Sequence, residues 1–209
     1  MKVTKFLQSC LVLDNGGARI LIDPGTLVLD RFVLEDLLPF DAVLFTHRHA
    51  DHYDERVVTA ARERGCRLVG NADVCELLGE GDGVGDGVTV TANGVPMDVA
   101  GFSVTPYDVP HMAMVDGSPP PPNTGYLIDG HFIHPGDGLS FPVAADSLAV
   151  PIAGPDASFR DAYLFVEQVG AKRVIPIHHD VFIARPEMFA ARCDIAEVIL
   201  LEPGGSTEL

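Results

Sequence analysis

The 209 residues predict an α/β fold of two sheets with helices packed outside them, built as a single domain over residues 1–209. Short β-branched runs recur through both halves of the chain and are interspersed with helix-forming segments. Hydrophobic residues make up 47% of the chain and charged residues 21%, which is typical of a globular protein with a sizeable core. No linker separates the two halves, so one domain is expected.

The first half of the chain predicts four strands and two helices. The strands are expected at residues 11–13, 18–22, 42–46 and 66–69. Helix formers with one apolar face predict a helix over 54–64 that ends at Gly65, and a short helix is expected over 72–78. The glycine- and acid-rich segment 79–87 predicts a surface turn. A nucleotide loop is disfavoured there because the G-x-G-x-x-G spacing fails at Asp86, and a single glycine-aspartate run does not make a calcium-binding repeat.

The second half repeats this alternation. Strands are predicted at residues 88–91, 102–107, 124–128, 132–134, 147–152, 173–177 and 195–201. A helix is expected over 156–169, ending at Gly170, and another over 186–193 with Pro186 in its first turn. The four prolines at 119–122 exclude a helix interior or a central strand, and they predict a stiff connector that can also form the rim of a site.

The charge balance argues against several classes of partner. The formal net charge is −16 at pH 7, which repels a phosphate backbone, so no nucleic-acid partner is expected. The three lysines, Lys2, Lys5 and Lys172, form no polybasic patch for an anionic membrane. No apolar run approaches the roughly 18 residues that a transmembrane helix needs, so no membrane partner is expected either.

The cysteines indicate a reducing compartment. Cys10, Cys66, Cys75 and Cys193 show no C-x-x-C spacing and are expected to be buried reduced thiols. Polar residues interrupt the apolar stretch near the N-terminus early, which is unlike a signal peptide. A cytoplasmic location is therefore expected.

The strongest motif is the segment Thr46-His47-Arg48-His49-Ala50-Asp51-His52, which lies between a predicted buried strand and a predicted helix. Side chains alternate along an extended segment, so His47 and His49 point the same way, while Asp51 and His52 lie past the turn. A chance match to H-x-H-x-D-H has a probability of about one in a thousand in this composition. A solvated polar loop is the alternative, but loops at strand ends often carry chemistry. The segment therefore predicts two metal ions.

Further ligand-type residues stand directly after other predicted strands, namely His111, Asp137, His178 and His179. Each of them alone would be interpreted as structural. Their placement at matching strand ends instead indicates one shared site. His131 and His134 flank a predicted strand without a ligand partner, and they are predicted to be structural.

Seven of these residues, in this order and context, resemble the dinuclear signature of the metallo-β-lactamase superfamily: His47, His49, Asp51, His52, His111, Asp137 and His178. Residues 21–25 (Leu-Ile-Asp-Pro-Gly) resemble the family's early Asp-Pro turn, and residues 124–128 resemble the strand before its Gly-Asp motif. The compact length and residues 175–178 look most like the stand-alone branch that includes ascorbate-6-phosphate lactonase and uncharacterised metal-dependent hydrolases. The resemblance implies a four-layer αββα sandwich of two mixed sheets, with the metals at one edge between them.

The resemblance also implies a role for each site residue. His47, His49 and His111 would hold the first metal, and Asp51, His52 and His178 the second, with Asp137 bridging the two. Nitrogen and oxygen donors without cysteine suit two zinc ions, with manganese or iron as alternatives. The implied reaction is hydrolysis of a small ester, lactone or phosphoester by a metal-bridging hydroxide.

Three further residues would assist this reaction. Asp51 would also orient the nucleophile, and Asp23 would orient the site from outside the set of ligands. His179 would donate a proton to the leaving group, although a packed or solvent-facing imidazole is the alternative for it.

Three positions depart from the family's pattern. Leu7-Gln8 stands where Gly-His is frequent, so a contact just outside the set of ligands is expected to differ. Gly138 follows Asp137 where Thr or Ser is usual, and His179 follows the last ligand where Tyr is common. None of them is one of the seven ligands. The departures therefore bear on the substrate rather than on metal binding.

Other functions stay open at this point. Among enzymes, the alternative is a phosphodiesterase acting on nucleotides or phospholipids. Outside enzymes, it is a non-catalytic metal-binding sensor on the same scaffold. A flavin-linked diiron oxidoreductase is disfavoured because no flavodoxin-like domain follows Leu209. A small-molecule substrate is expected, and a homo-oligomer is left open.

Overall fold

The structure is a computed structural model that describes residues 1–79 and 87–209. The surface turn predicted at 79–87 therefore lies largely outside the described residues. Within the described ranges, the chain forms two sheets of seven strands each and six helices. None of these helices is both long and apolar enough to cross a bilayer.

The first sheet is built from both ends of the chain. Its strands are β1 (Lys2–Lys5), β2 (Leu11–Asp14), β3 (Arg19–Ile22), β4 (Ala42–Leu44), β5 (Arg67–Gly70), β6 (Val88–Val90) and β14 (Ser206–Glu208). Their spatial order is β14-β1-β2-β3-β4-β5-β6. The helices α1 (Thr26–Arg31), α2 (Leu34–Leu37), α3 (Glu55–Glu63) and α4 (Ala72–Leu77) lie in the connections of this half.

The second sheet follows in sequence. Its strands are β7 (Met97–Val99), β8 (Phe102–Asp108), β9 (Thr124–Ile128), β10 (Phe132–His134), β11 (Ser147–Pro151), β12 (Arg173–Ile177) and β13 (Glu197–Val198). They are arranged β13-β12-β11-β10-β9-β8-β7. The helices α5 (Phe159–Val169) and α6 (Pro186–Ala190) belong to this half.

The apolar runs form strands because the central strands are covered on both faces. In the first sheet, Val12, Leu21 and Val43 share a core with side chains of α3 and α4. Their neighbours, among them Leu13 and Ile20, pack instead against the second sheet. Because successive side chains of a strand point to opposite faces of the sheet, the apolar side chains of one strand pack into two different cores.

Three cores separate four layers. The middle core joins residues of β2, β3 and β4 to residues of β8, β9, β10 and β12. The third core packs Leu148 and Val174 of the second sheet against Phe165 and Val169 of α5. The predicted four-layer αββα sandwich of two mixed sheets is confirmed.

Several predicted boundaries were wrong. The helix predicted over 156–169 begins at Phe159 because Ser158 caps it, its Oγ accepting from the Asp161 N–H at 3.3 Å. The helix predicted over 186–193 ends at Ala190, beyond which the chain continues as a turn. The strand predicted over 195–201 is reduced to β13, and β14 was missed because its partner β1 lies at the other end of the chain.

The two sheets are joined at the edge that carries the loops after β4, β8, β10 and β12, which is called the seam below. Strands β3, β4 and β5 are parallel, as are β10, β11 and β12, so their carboxyl ends lie at a common edge of each sheet. Across the seam, the Thr124 N–H donates to the Thr46 carbonyl at 2.9 Å, and the His178 N–H donates to the Gln8 carbonyl at 3.0 Å. These bonds fix the loops of one sheet against those of the other.

A further bond between the sheets predicts a stability effect. The fully buried Tyr126 hydroxyl donates to the Phe45 carbonyl at 2.7 Å. Tyr126→Phe would leave that buried carbonyl without this donor, so we expect unfolding by urea to show a loss of about 1–3 kcal/mol. The matched control is Tyr163→Phe, which removes an exposed bond to Asp194 and should change stability by less than about 0.5 kcal/mol. Equal effects of the two variants would contradict this account.

Candidate metal centre

The histidine-rich loop can sit at the seam because a glycine lies beneath it. The Thr26 N–H donates to the Ala50 carbonyl at 2.8 Å, which brings the two loops together. A Cβ atom on Gly25 would overlap the backbone carbonyl group of Asp51. Gly136 has the same effect before Asp137, since its φ is +61° and a Cβ there would overlap the amide oxygen of Asn123.

The first group of side chains contains His47, His49, His111 and Asp137, whose ligand atoms all lie within 4.8 Å of one another. His47 Nε2 and His111 Nε2 lie 3.0 and 3.3 Å from His49 Nδ1. Asp137 Oδ2 lies 3.8 Å from His47 Nε2 and 3.4 Å from His111 Nε2. Three nitrogens and one oxygen thus converge on one point.

The second group contains Asp51, His52 and His178, again within 4.8 Å. Asp51 Oδ2 lies 3.6 Å from His52 Nε2 and 3.4 Å from His178 Nε2. Asp137 also reaches this group, with Oδ1 at 3.0 Å from His52 Nε2 and Oδ2 at 3.1 Å from His178 Nε2. Asp137 therefore lies between the two groups, and the structure brings all seven predicted ligands together in one His/Asp cluster.

Hydrogen bonds to Nδ1 of two histidines determine that their Nε2 atoms face the cluster. His111 Nδ1 lies 2.6 Å from the Met112 carbonyl, and His178 Nδ1 lies 2.7 Å from the Ala153 carbonyl. A carbonyl oxygen only accepts, so each Nδ1 carries a proton, and each ring in its neutral form presents the Nε2 lone pair to the centre. This is the arrangement that orients metal-binding histidines in proteins.

Asp23 performs the same task for two further histidines. Its Oδ2 lies 2.7 Å from His52 Nδ1 and accepts from the Thr46 hydroxyl at 2.7 Å. The Thr46 hydroxyl lies 3.0 Å from His47 Nδ1, which it can therefore accept from. These contacts agree with the expectation that Asp23 orients the site from outside the set of ligands.

The cluster contains buried polar atoms that fit a cation. His52 Nε2, His178 Nε2 and Asp137 Oδ1 are buried and make no hydrogen bond to any described residue. Buried polar groups without partners are costly, and imidazole and carboxylate donors are those that zinc and similar divalent ions prefer. The donor set therefore fits divalent metal ions.

The protonation of the metal-free cluster is set by burial and by Asp137. Burial, followed by the neighbouring imidazoles, holds the pKa of His47 well below its usual value. Burial also opposes charge on His52 and His178, but the carboxylate of Asp137 outweighs it and raises both pKa values, that of His178 to about 9. The same imidazoles keep the pKa of Asp137 low despite its burial. Protons on His52 and His178 thus balance Asp137 when no metal is bound.

Three non-glycine residues at the centre adopt a left-handed backbone conformation. The φ angles are +56° at Gln8, +49° at Asp23 and +60° at His178. Such conformations are uncommon for residues with a side chain and persist only where the surroundings enforce them. The sequence carries no signal for them, since they arise from loops that are fixed by tertiary contacts.

Gln8 stands where a contact just outside the set of ligands was expected to differ, but the sequence did not reveal its partners. Its side-chain N–H donates to Asp51 Oδ2 at 2.9 Å, and its side-chain carbonyl accepts from the Val181 N–H at 3.3 Å. Its backbone N–H donates to Asp180 Oδ2 at 2.6 Å. Gln8 therefore holds Asp51 and the loop after His178 in a fixed relation.

The other histidines lie outside the cluster. His134 is buried, its Nε2 lying 2.8 Å from the Ser9 carbonyl, and the ring of His131 lies 3.2 Å from the Asp129 carbonyl; both placements agree with structural roles. His179 is half-buried, and burial followed by the charge of Lys5 lowers its pKa to about 4. A neutral ring at pH 7 is poorly suited to donate a proton, and the catalytic role of His179 stays a prediction.

A cavity of about 290 Å³ opens onto the cluster. Five residues of the cluster line it, together with Ala50, Met114, Pro155 and Phe182. Met114 lies in the wall of this cavity, whereas Met112 is buried against Gly154. Pro120 to Pro122 line an adjacent cavity that also includes His111, which places the tetraproline segment beside the site. Phe182 and Pro155 were missed because no periodic pattern marks them.

The family follows from a comparison with known sequences. A family model described as a β-lactamase superfamily domain matches residues 2–178, which include every residue of the cluster. The chain belongs to the metallo-β-lactamase superfamily. Within this superfamily, a UPF0173 metal-dependent hydrolase from Thermococcus onnurineus is 32% identical to it over the full length of both chains.

Solved structures of the metallo-β-lactamase superfamily share the fold. Igni18, a metallo hydrolase from Ignicoccus hospitalis, superposes with a TM-score of 0.80 at 23% identity, covering 100% of this chain and 98% of that one. YhfI from Bacillus subtilis, a metallo-β-lactamase fold protein, gives a TM-score of 0.75 at 18% identity, covering 100% and 99%. At these identities the likeness supports the αββα fold alone.

Metal uptake should release protons. The pKa of His178 in the metal-free chain is about 9, so its ring is protonated at pH 7 and a metal ion must displace that proton. Apparent metal affinity should rise with pH up to about 9. Below that pH, it should fall by about tenfold per pH unit for each proton that the metal displaces. Zinc titration by calorimetry at pH 7, in buffers of different ionisation enthalpy, measures the released protons. Heats that do not depend on the buffer would contradict this expectation.

Gln8 should support metal binding by the second group. Gln8→Ala removes the donor that fixes Asp51, and we expect zinc affinity to fall by about 10–100-fold in competition with a chelator. Gln168→Ala is the matched control, because Gln168 bonds only to the backbone of Phe141 among the hydrogen bonds described. The control should lower stability and leave zinc affinity unchanged. An unchanged affinity in Gln8→Ala would refute the role assigned to Gln8.

Proposed function

We propose that the chain is a metal-dependent hydrolase that uses two divalent metal ions, zinc in the first instance, to cleave a small ester, lactone or phosphoester. The main observation behind this proposal is the His/Asp cluster, in which two sets of donors share Asp137 and present unpaired buried atoms. The name of the Thermococcus onnurineus relative supports the same class of activity. The cytoplasmic location expected from the four free cysteines belongs to this proposal.

The cluster residues divide the work of holding the metals. His47, His49 and His111 would hold one ion, Asp51, His52 and His178 the other, and Asp137 would bridge them. When bound, the divalent ions supply a nucleophile from water near neutral pH and withdraw charge from an oxygen of the substrate. The carbonyls of Met112 and Ala153 keep the rings of His111 and His178 in the tautomer that this requires.

Asp51 is the residue best placed to assist the chemistry directly. It lines the cavity and is only half-buried, so one edge of its carboxylate faces the space that a substrate would enter. Gln8 fixes its Oδ2 and thereby its orientation. Its pKa lies below the usual range because the nearby imidazoles of His178 and His52 outweigh burial, so it acts as a base or a ligand and not as an acid.

A small-molecule substrate fits the charge of the protein. The net charge of −16 repels a long polyanion, whereas the local field at the cluster would be set by the metals. A phosphodiesterase acting on nucleotides or phospholipids is the alternative within the same chemistry. A non-catalytic sensor is disfavoured because the set of donors is complete.

Removal of one ligand tests the proposal. His47→Ala should reduce the ratio of zinc to protein below that of the wild type and lower kcat/KM by at least about 100-fold. This decrease is larger than the one expected when a residue that only supports a ligand is removed. The measurements are metal content by mass spectrometry and hydrolysis of chromogenic esters and phosphoesters. His131→Ala is the matched control, since His131 bonds only to the Asp129 carbonyl in the described structure and should leave both quantities unchanged. A metal-loaded protein that hydrolyses none of the panel would favour the sensor.

A further inference from the structure

The walls of the cavity above the His/Asp cluster are apolar. Apart from the cluster residues, the lining consists of Ala50, Met114, Pro155 and Phe182. Phe182 stacks on the ring of His178, with 5.3 Å between centroids and 29° between planes. The loop that carries Phe182 is held by the bond from the Val181 N–H to Gln8, so this aromatic wall has a fixed position.

No cationic side chain lines that cavity or the adjacent one. All 14 lysines and arginines lie within the described residues, and none is among the lining residues of either cavity. Arg48, which stands between two cluster histidines in sequence, is turned to Asp73 at 2.9 Å. Lys5 is buried beneath the site, where its ammonium group donates to the Phe6 carbonyl and lies 3.7 Å from Asp180.

The helix that begins nearest to Pro155 offers no anion site either. Its first-turn N–H of Asp161 is satisfied by the Ser158 hydroxyl, and the Asp161 carboxylate accepts from the Ser158 N–H at 2.9 Å. A negative charge thus already occupies the start of α5. Apart from metal ions, protein sites for phosphate groups rely on Arg or Lys side chains or on free helix N-termini, and the cavity walls here present none of these.

We infer that the substrate is a neutral carboxylic ester or lactone with an apolar acyl part, and that Phe182 and Met114 determine this preference. The inference rests on the proposed hydrolase function and narrows its substrate class. A phosphorylated compound would place charge against Met114, Pro155 and Phe182 without a counter-ion from the chain. An acyl chain would instead cover the exposed faces of these side chains and exclude water from the cluster.

The reaction balances with water as the only co-substrate. The water oxygen forms the new bond to the acyl carbon, and the acyl C–O bond to the alcohol oxygen breaks. One proton of the water passes to the leaving oxygen, and the acid formed loses the other at neutral pH. The products are an alcohol and a carboxylate, joined in one hydroxy acid when the substrate is a lactone.

The test compares substrates that share one leaving group. The zinc-loaded full chain is assayed with 4-nitrophenyl acetate, butyrate and hexanoate, with 4-nitrophenyl phosphate and with bis(4-nitrophenyl) phosphate, and chelator-treated protein is the blank. We expect kcat/KM to be at least about 100-fold higher for butyrate than for either phosphoester. We also expect it to rise from acetate to butyrate by about 10-fold or more, because each methylene contacts the apolar wall.

Variants separate the wall from the metal centre. Phe182→Ala should abolish the rise with acyl length through KM, with zinc content unchanged, and Phe182→Leu should retain most of it. Ile183→Ala is the matched control, because Ile183 is 86% exposed and lies outside the lining. Met114→Arg should lower kcat/KM for butyrate and raise it for 4-nitrophenyl phosphate.

Each outcome has a distinct meaning. Faster hydrolysis of a phosphoester than of every carboxylic ester would overturn the inferred substrate class and leave the hydrolase function standing. Equal effects of Phe182→Ala and Ile183→Ala would overturn the role of Phe182. Zinc-loaded protein that is inert towards all five compounds would overturn both the substrate class and the proposed function.

Discussion

A carboxylate buried among imidazoles is the constraint on which the centre depends. Asp137 is 3% exposed, lies within 4 Å of ring nitrogens of four histidines, and has one oxygen without a hydrogen bond to any described residue. A buried anion is tolerated only when positive charge is nearby. Protons on His52 and His178 supply that charge without a metal, and divalent ions would supply it with one. The outer contacts of the rings, from Asp23 to the Ala153 carbonyl, serve to keep the Nε2 atoms facing this anion.

The fold meets this constraint by keeping the polar atoms at one edge. The central strands are apolar on both faces, and the two sheets pack together through a hydrophobic core. Parallel strands bring several loop starts to the same edge, and glycines allow those loops to approach closely, as Gly25 does beneath Asp51. The left-handed backbone at Gln8, Asp23 and His178 is then held by the packing around it.

Most of this arrangement was predictable where the signal is local. Runs such as residues 11–13 and 173–177 are apolar because both faces are buried, and the His-rich loop concentrates four donors in six positions, so the strands and the members of the His/Asp cluster could be predicted. Features that depend on contacts between distant residues were not predictable. Gln8 reaches Asp51 across 43 positions and Val181 across 173. The pairing of β14 with β1 and the stacking of Phe182 on His178 depend likewise on the finished fold.

The division of the donors between the sheets has a mechanical consequence. His47, His52 and Asp51 leave the first sheet, whereas His111, Asp137 and His178 leave the second. A metal ion held by both sets would link the two halves of the sandwich to each other. Its binding free energy then adds to the cohesion of the middle core by mass action, and the tightness of that core sets how well the ion is held. Resistance to heat and metal supply would thus vary together in this protein, although no ion touches the core.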